Sequence, residues 1–291
     1  MKLNKYIFLL PFMAAPLLFT SCGDDSIENA SIITIPEVST DSLDVWIDST
    51  FRVPYNMNVN YKWTNFDSDQ NRYLVPPRKK LVQPFLKTVK KIWIKPYITV
   101  ASDKEEFFKN YANRELKLIG SGSWNNESVT LGLAENGFKI SLYTINSFDL
   151  QAGVSKDDLR QFFRTMHHEF GHILNQRKPY SADFKKITGG YTADWTSFTD
   201  SEAREMGFMS AYSISGDGED FVEILSFYVC YTSTEWAKMM SDIKNEKSKE
   251  NIQKKVNMVA SYMNDSYGVD IEQLRVWITA GISEAASGNL D

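Results

Sequence analysis

Three histidines occur in 291 residues, and all lie between positions 167 and 172, so histidine chemistry has one place in this chain to happen. His168-Glu169-Phe170-Gly171-His172 has the spacing that puts two imidazoles on one side of an α-helix, because residues four apart differ by only ~40° around the axis. Such a pair can hold a single zinc ion. Glu169, one position along, falls beside the ion rather than on it, where a carboxylate can take the proton from a water that the metal acidifies. The chemistry indicated is metal-assisted hydrolysis. By chance this pattern would arise in such a composition on the order of once in a thousand chains; the bland alternative is a solvated histidine pair. His167 points ~100° away from His168. Packing or a surface position is expected for it, with a supporting place near the metal as the alternative.

A catalytic zinc usually takes three protein ligands and keeps one position open. No fourth histidine exists, and Lys178 stands where a His-x-x-Gly-x-x-His extension would need one. The third ligand is therefore a carboxylate, or less plausibly Cys230. Glu202, Glu205, Glu219 and Glu223 are the nearest downstream candidates. Glu219 is preferred. Gly216-Asp217-Gly218 leads into an apolar-faced helix with Asp217 as a candidate N-cap, and Glu219 and Glu223 share one face of it, so one can bind metal while the other orients a ligand histidine. Acids in a first helical turn also suit the helix dipole without any metal, and Glu223, Glu202 and Glu205 stay open as alternatives.

These side chains need elements to hold them. Ser155-Lys156-Asp157-Asp158 reads as a helix start, with a hydroxyl N-cap and early acids. Leu159, Phe162, Phe163, Met166, Phe170, Ile173 and Leu174 then recur at i, i+3, i+4 spacing, and Arg177, Lys178 and Pro179 supply a stop. This predicts a core helix of about six turns. Upstream, residues 129–135 and 138–146 read as strands around Asn136-Gly137, a hairpin-turn dipeptide. Phe138, Ile140 and Leu142 alternate with Lys139, Ser141 and Tyr143, which predicts one buried face. A strand-containing first half and a largely helical second half after about residue 178 give an α+β class.

Composition narrows the partners. Net charge is -5 and no basic block exists, which argues against nucleic acid, because phosphate binding needs a concentrated cationic face. Aromatics at 13% and hydrophobics at 43% supply a sizeable core. Two cysteines cannot form a disulfide scaffold. Residues 1–21 read as an export signal: Lys2 and Lys5 precede an apolar run from Tyr6 to Phe19, and small polar residues follow. Leu18-Phe19-Thr20-Ser21-Cys22 resembles a bacterial lipobox, which would make Cys22 a lipidated mature N-terminus. Gly23-Asp24-Asp25 resembles the surface-export signal of Bacteroidota lipoproteins, and equally suits a solvated tether. The tether is expected to run over residues 22–45, with a folded domain over 46–291. Cys230, in Phe227-Tyr228-Val229-Cys230-Tyr231, is expected to be a small buried hydrophobe.

Taken together, His168-Glu169-Phe170-Gly171-His172 with Tyr212, Glu219 and Glu223 resembles the protease domain of anthrax lethal factor. There a tyrosine precedes the ligand glutamate by seven residues and another glutamate follows it by four. With the lipobox added, the chain resembles the substrate import-associated zinc metallohydrolase lipoproteins, zinc-binding metallopeptidases of Bacteroidota, over about residues 85–230, including Gly120-Ser121-Gly122 and the hairpin after it. That resemblance implies a zincin-like fold and one zinc ion per chain held by His168, His172 and Glu219. It implies Glu169 as general base and Tyr212 as a donor to the oxyanion. It also implies a peptide or protein substrate, an outer-membrane location through a lipid anchor, and an outer-membrane nutrient transporter with its surface binding lipoprotein as partners. An edge strand within 138–146 would line the cleft and pair with an extended substrate. The competing classes are a zinc-containing lipoprotein that binds peptide or glycan without turnover, and a metallohydrolase acting on a non-peptide bond. The lipobox reading predicts that Cys22→Ala abolishes acylation and releases the protein from membranes, checked by fractionation and N-terminal mass spectrometry; a mature N-terminus elsewhere would refute it.

Overall fold

The helix that carries the histidines, Lys156–Arg177, packs against the helices Asp217–Cys230, Ile271–Ala286 and Glu105–Tyr111 and the strand Gly132–Glu135. The computed structural model describes residues 40–63, 73–124, 129–130, 132–135, 137–150 and 152–290. The leader, Cys22, the tether as far as residue 39 and Asn136 lie outside the described residues. In chain order, α1 (Ser42–Ile47) and α2 (Val53–Tyr55) are joined by a wide π turn, and β1 is Asn58–Asn60. Next, α3 (Lys79–Val89) and α4 (Lys95–Val100) are joined by a second π turn, and α5 is Glu105–Tyr111. The strands β2 (Glu115–Leu118), β3 (Ser123–Trp124), β4 (Val129–Thr130), β5 (Gly132–Glu135) and β6 (Lys139–Leu142) follow. The second half is helical: α6 (Lys156–Arg177), α7 (Asp200–Glu205), α8 (Asp217–Cys230), α9 (Ser233–Asp242), α10 (Glu246–Tyr267) and α11 (Ile271–Ala286). This is a mixed α+β fold, mostly helical, with a small four-stranded sheet. The folded chain starts slightly before the tether was expected to end, because α1 begins at Ser42 and Leu43 is buried in the core.

Helix α6 forms where its pattern places it. Ser155 caps it, its Oγ accepting the Asp158 N–H at 3.1 Å. The helix stops at Arg177, two residues before Pro179. Its apolar back face is sealed by aromatic packing: Phe170 stacks on Phe108 with centroids 5.7 Å apart and meets the rings of Trp93 and Tyr97 edge-to-face. Each such pair adds about 1 kcal/mol beyond burial, which fixes the rotation of the helix and hence the direction of its opposite face. His167 belongs to this back side. It is fully buried, its Nδ1 lies 3.3 Å from the Tyr97 hydroxyl, and burial pushes its pKa down to about 3, so it is a neutral core residue.

The sheet has the order β1-β2-β6-β5, with β1, β2 and β6 parallel and β5 antiparallel to β6. Three expectations change here. The single strand expected over 129–135 is two: β4 pairs with β3 in a separate small sheet, and only β5 joins the main one. Phe138 is half exposed and precedes β6, while Ser141 is as buried as Ile140 and Leu142, so the strand is covered on both faces instead of one. Because β6 is paired along both sides, it has no free edge for a substrate; β1 and β5 are the edge strands, and β5 is the one next to α6. The hairpin itself forms, with Gly137 at a φ of 65°.

Helices α6 and α8 pack closely, and Gly171 permits it. A Cβ at that position would lie 2.8 Å from Cγ1 of Val222, a buried α8 residue. Gly171→Ala should therefore destabilise the protein by about 1–3 kcal/mol despite the better helix propensity of alanine. Denaturant unfolding checks it, and a stability equal to wild type would show that the interface is loose.

Candidate metal centre

Helix α6 presents His168 and His172 towards α8, which presents Glu219 and, one turn later, Glu223. His168 Nε2 is 3.0 Å from Glu219 Oε2, His172 Nε2 is 3.1 Å from the same oxygen, and the two Nε2 atoms are 3.2 Å apart. Two ring nitrogens and one carboxylate oxygen thus make a nearly equilateral triangle. The fit to zinc can be tested on that triangle: tetrahedral bonds of about 2.05 Å require ligand atoms about 3.3 Å apart. The residues fit. Their chemistry agrees, because acceptor atoms this close repel one another unless a cation or a proton lies between them. Among the described residues His168, His172 and Glu219 are the group of side chains able to hold a metal ion.

Glu223 does a different job. Its Oε1 accepts from His168 Nδ1 at 2.8 Å, which leaves Nε2 of that ring as the free acceptor. The Arg164 guanidinium donates to both Glu223 oxygens at 3.0–3.2 Å, and Ser210 Oγ donates to Oε2 at 2.5 Å. Burial pushes the Glu223 carboxyl up, but Arg164 and His168 outweigh it and hold it down at about 2. Burial likewise opposes charge on His168, yet its hydrogen bonds to the Glu219 and Glu223 carboxylates raise its pKa to about 9. The surroundings therefore favour positive charge at this point, whether a proton or a divalent cation supplies it.

Glu169 stands beside the triangle. Its Oε2 accepts the Ala134 backbone N–H at 2.7 Å, so the edge strand β5 aims the carboxylate. Tyr212 opens a 3-10 turn (Tyr212–Ser215), with its ring 5.8 Å from that of His168 and braced edge-to-face by Trp195 at 5.0 Å. Burial, together with Glu219, Glu169 and Glu223, pushes its phenol well above the usual range, so it is a proton donor at neutral pH. A family model described as "Putative zinc-binding metallo-peptidase" matches residues 36–272.

The chain belongs to this family.

Its match extends well beyond the 85–230 over which the resemblance was expected, and takes in α1, α9, α10 and the start of α11. A crystal structure of a putative zinc-binding metallo-peptidase from Bacteroides caccae is similar, with a TM-score of 0.74 and 34% identity over 90% of this chain and 99% of that one. No curated protein matches the chain.

The other candidate residues are accounted for by their neighbours. Glu202 closes a capping box with Thr199 at the start of α7, and Glu205 accepts the Lys244 and Asn245 amides ahead of α10. Asp217 is the first residue of α8 rather than its N-cap, which is Gly216, and its carboxylate instead accepts the Tyr180 hydroxyl at 2.9 Å. Cys230 is buried as expected, and burial raises its thiol pKa. Sequence reading did not single out Arg164 and Ser210. Arg164 had a signal, lying one turn before His168 on the same helix face; Ser210 had none.

Glu223 carries a pH prediction. Its folded pKa lies below the ordinary carboxylate value, so its stabilisation is present above about pH 4.5 and lost as pH falls towards 2. In metal-free protein, the loss of thermal stability between pH 4.5 and 2 should be shallower for Glu223→Gln, which cannot titrate, than for wild type. Parallel curves would remove Glu223 from the acid transition.

Proposed function

We propose that this chain is a zinc-dependent peptidase in which His168, His172 and Glu219 hold one zinc ion and Glu169 is the general base. The observation that carries this reading is the triangle of two Nε2 atoms and one carboxylate oxygen with a second, separately anchored carboxylate beside it. Zinc, when bound, supplies the Lewis acidity that acidifies a water molecule and polarises the scissile carbonyl. Glu169, aimed by the Ala134 amide, takes the proton from that water and delivers it to the leaving amine. Tyr212 donates its phenolic hydrogen to the developing oxyanion, a contribution often worth about 3 kcal/mol. Glu223 keeps His168 in the tautomer that leaves Nε2 free. Family membership supports the zinc and the hydrolysis.

The remaining parts of this reading are supported by the sequence. The leader and lipobox favour a protein tethered through Cys22 to the outer membrane. In such a setting peptides taken up by a nutrient transporter and its surface binding lipoprotein are the natural substrates.

Three variants test the chemistry. Glu219→Ala should lose zinc by elemental analysis. Glu169→Gln should keep zinc and lose peptide turnover by about 10²–10⁴-fold, and Tyr212→Phe should keep zinc with about 10²-fold slower turnover. Zinc loss in Glu169→Gln would overturn its role; zinc-loaded wild type that binds peptide or glycan tightly but cleaves nothing in a broad library would make the protein a binding lipoprotein.

A further inference from the structure

The helices after residue 232 carry no sequence motif, yet one of them reaches the metal centre's supports. Lys255 of α10 is fully buried, and so is its partner Asp220, with Nζ 2.6 Å from Oδ2. The same ammonium donates to the Gly207 carbonyl at 2.8 Å and lies 4.3 Å from the centre of the Phe208 ring. Asp220 Oδ2 also accepts the Tyr191 hydroxyl at 2.9 Å. Each of these contacts leads to a residue of the centre. Asp220 follows Glu219 directly in the first turn of α8. Gly207, at a φ of 91°, ends the turn after α7 and begins the short run through Ser210, which donates to Glu223, to Tyr212.

The segment carrying Tyr212 has its own small apolar cluster of Ala203, Phe208 and Ile214, with Tyr191, Trp195 and Phe198 against it, separate from the main core. An apolar seam between that cluster and the body would hold it without fixing its direction. A buried ion pair is directional, and replacing one with well-packed apolar groups often leaves stability unchanged or improved. The distinctive contribution of Lys255 is thus geometric.

We propose that Lys255 is a positioning residue that clamps the Tyr212 segment, through the Gly207 carbonyl, to the helix start bearing Glu219, through Asp220. The inference rests on the zinc-peptidase reading for its catalytic consequence, while its effect on the metal's surroundings can be read without turnover. Lys255→Met combined with Asp220→Leu replaces the pair by apolar groups. The full chain is stripped of metal and loaded with Co²⁺ alone, and visible absorption, melting temperature, kcat and KM are measured on the same samples. The double variant should melt within about 4 °C of wild type, bind one equivalent of Co²⁺ with an altered visible spectrum, and lose about 10–100-fold in kcat with KM within about threefold. A folded double variant with the wild-type spectrum and kcat would overturn the proposal and leave the pair as packing. If the double variant does not fold, Tyr191→Phe, which removes one hydrogen bond on Asp220 and no volume from the core, decides: a changed Co²⁺ spectrum supports the clamp, and wild-type spectrum and kcat refute it. If wild type cleaves no peptide, the peptidase reading fails on its own and the Co²⁺ spectrum alone decides the role of Lys255.

Discussion

The approach of α6 to α8 is the constraint on which the centre depends. Side chains on two helices can converge on one point only if the backbones come close, and Gly171, between His168 and His172, leaves room for Val222 where any side chain would intrude. The aromatic packing of Phe170 on the opposite face presses α6 into that position. Tight apolar contact on one side and a missing Cβ on the other together bring three ligand atoms within 3.2 Å of one another. Interiors as dense as this move as units, so the triangle is a property of the helix pair more than of any single side chain.

Charge then gives the interface its chemistry. A buried carboxylate such as Glu223 would be costly alone, and Arg164, Ser210 and His168 together satisfy it. The network runs from a partly buried guanidinium, seated over the Phe227 ring, through the carboxylate to an imidazole, and fixes which nitrogen of that ring is left as the acceptor. Asp220, three residues earlier on α8, has its own cation in Lys255. The first two turns of this helix therefore place Glu219, Glu223 and Asp220 in three distinct environments: shared between histidines, paired with arginine, and paired with a buried lysine.

Much of this was legible in the sequence where the signal was local. The α6 helix announced itself through six turns of 3.6-residue periodicity and a serine cap, and the four-residue spacing of Glu219 and Glu223 gave both a common helix face. What was not legible depended on partners far along the chain. Residues 79–100 form helix across a π turn, although their isoleucines, valines and aromatics suit strands equally well. The split of 129–135 between two sheets is decided by pairing partners, and a period-2 pattern is silent about those. Ser210 and Lys255 meet their carboxylates 13 and 35 residues away in sequence, with nothing in their neighbours to mark them.

The bond from the Ala134 amide to Glu169 has a further consequence. It is made by backbone, so almost any residue type at 134 would preserve it, and no letter in the sequence advertises it. What it demands is register. Ala134 lies opposite Ile140 across the hairpin, and a slip of one residue in that pairing would turn the amide to the other side of the strand and release the carboxylate. The hairpin therefore works as a ruler: residue 134 is free to change in type but the hairpin is not free to change in length, and selection on that contact would be recorded there as a fixed spacing.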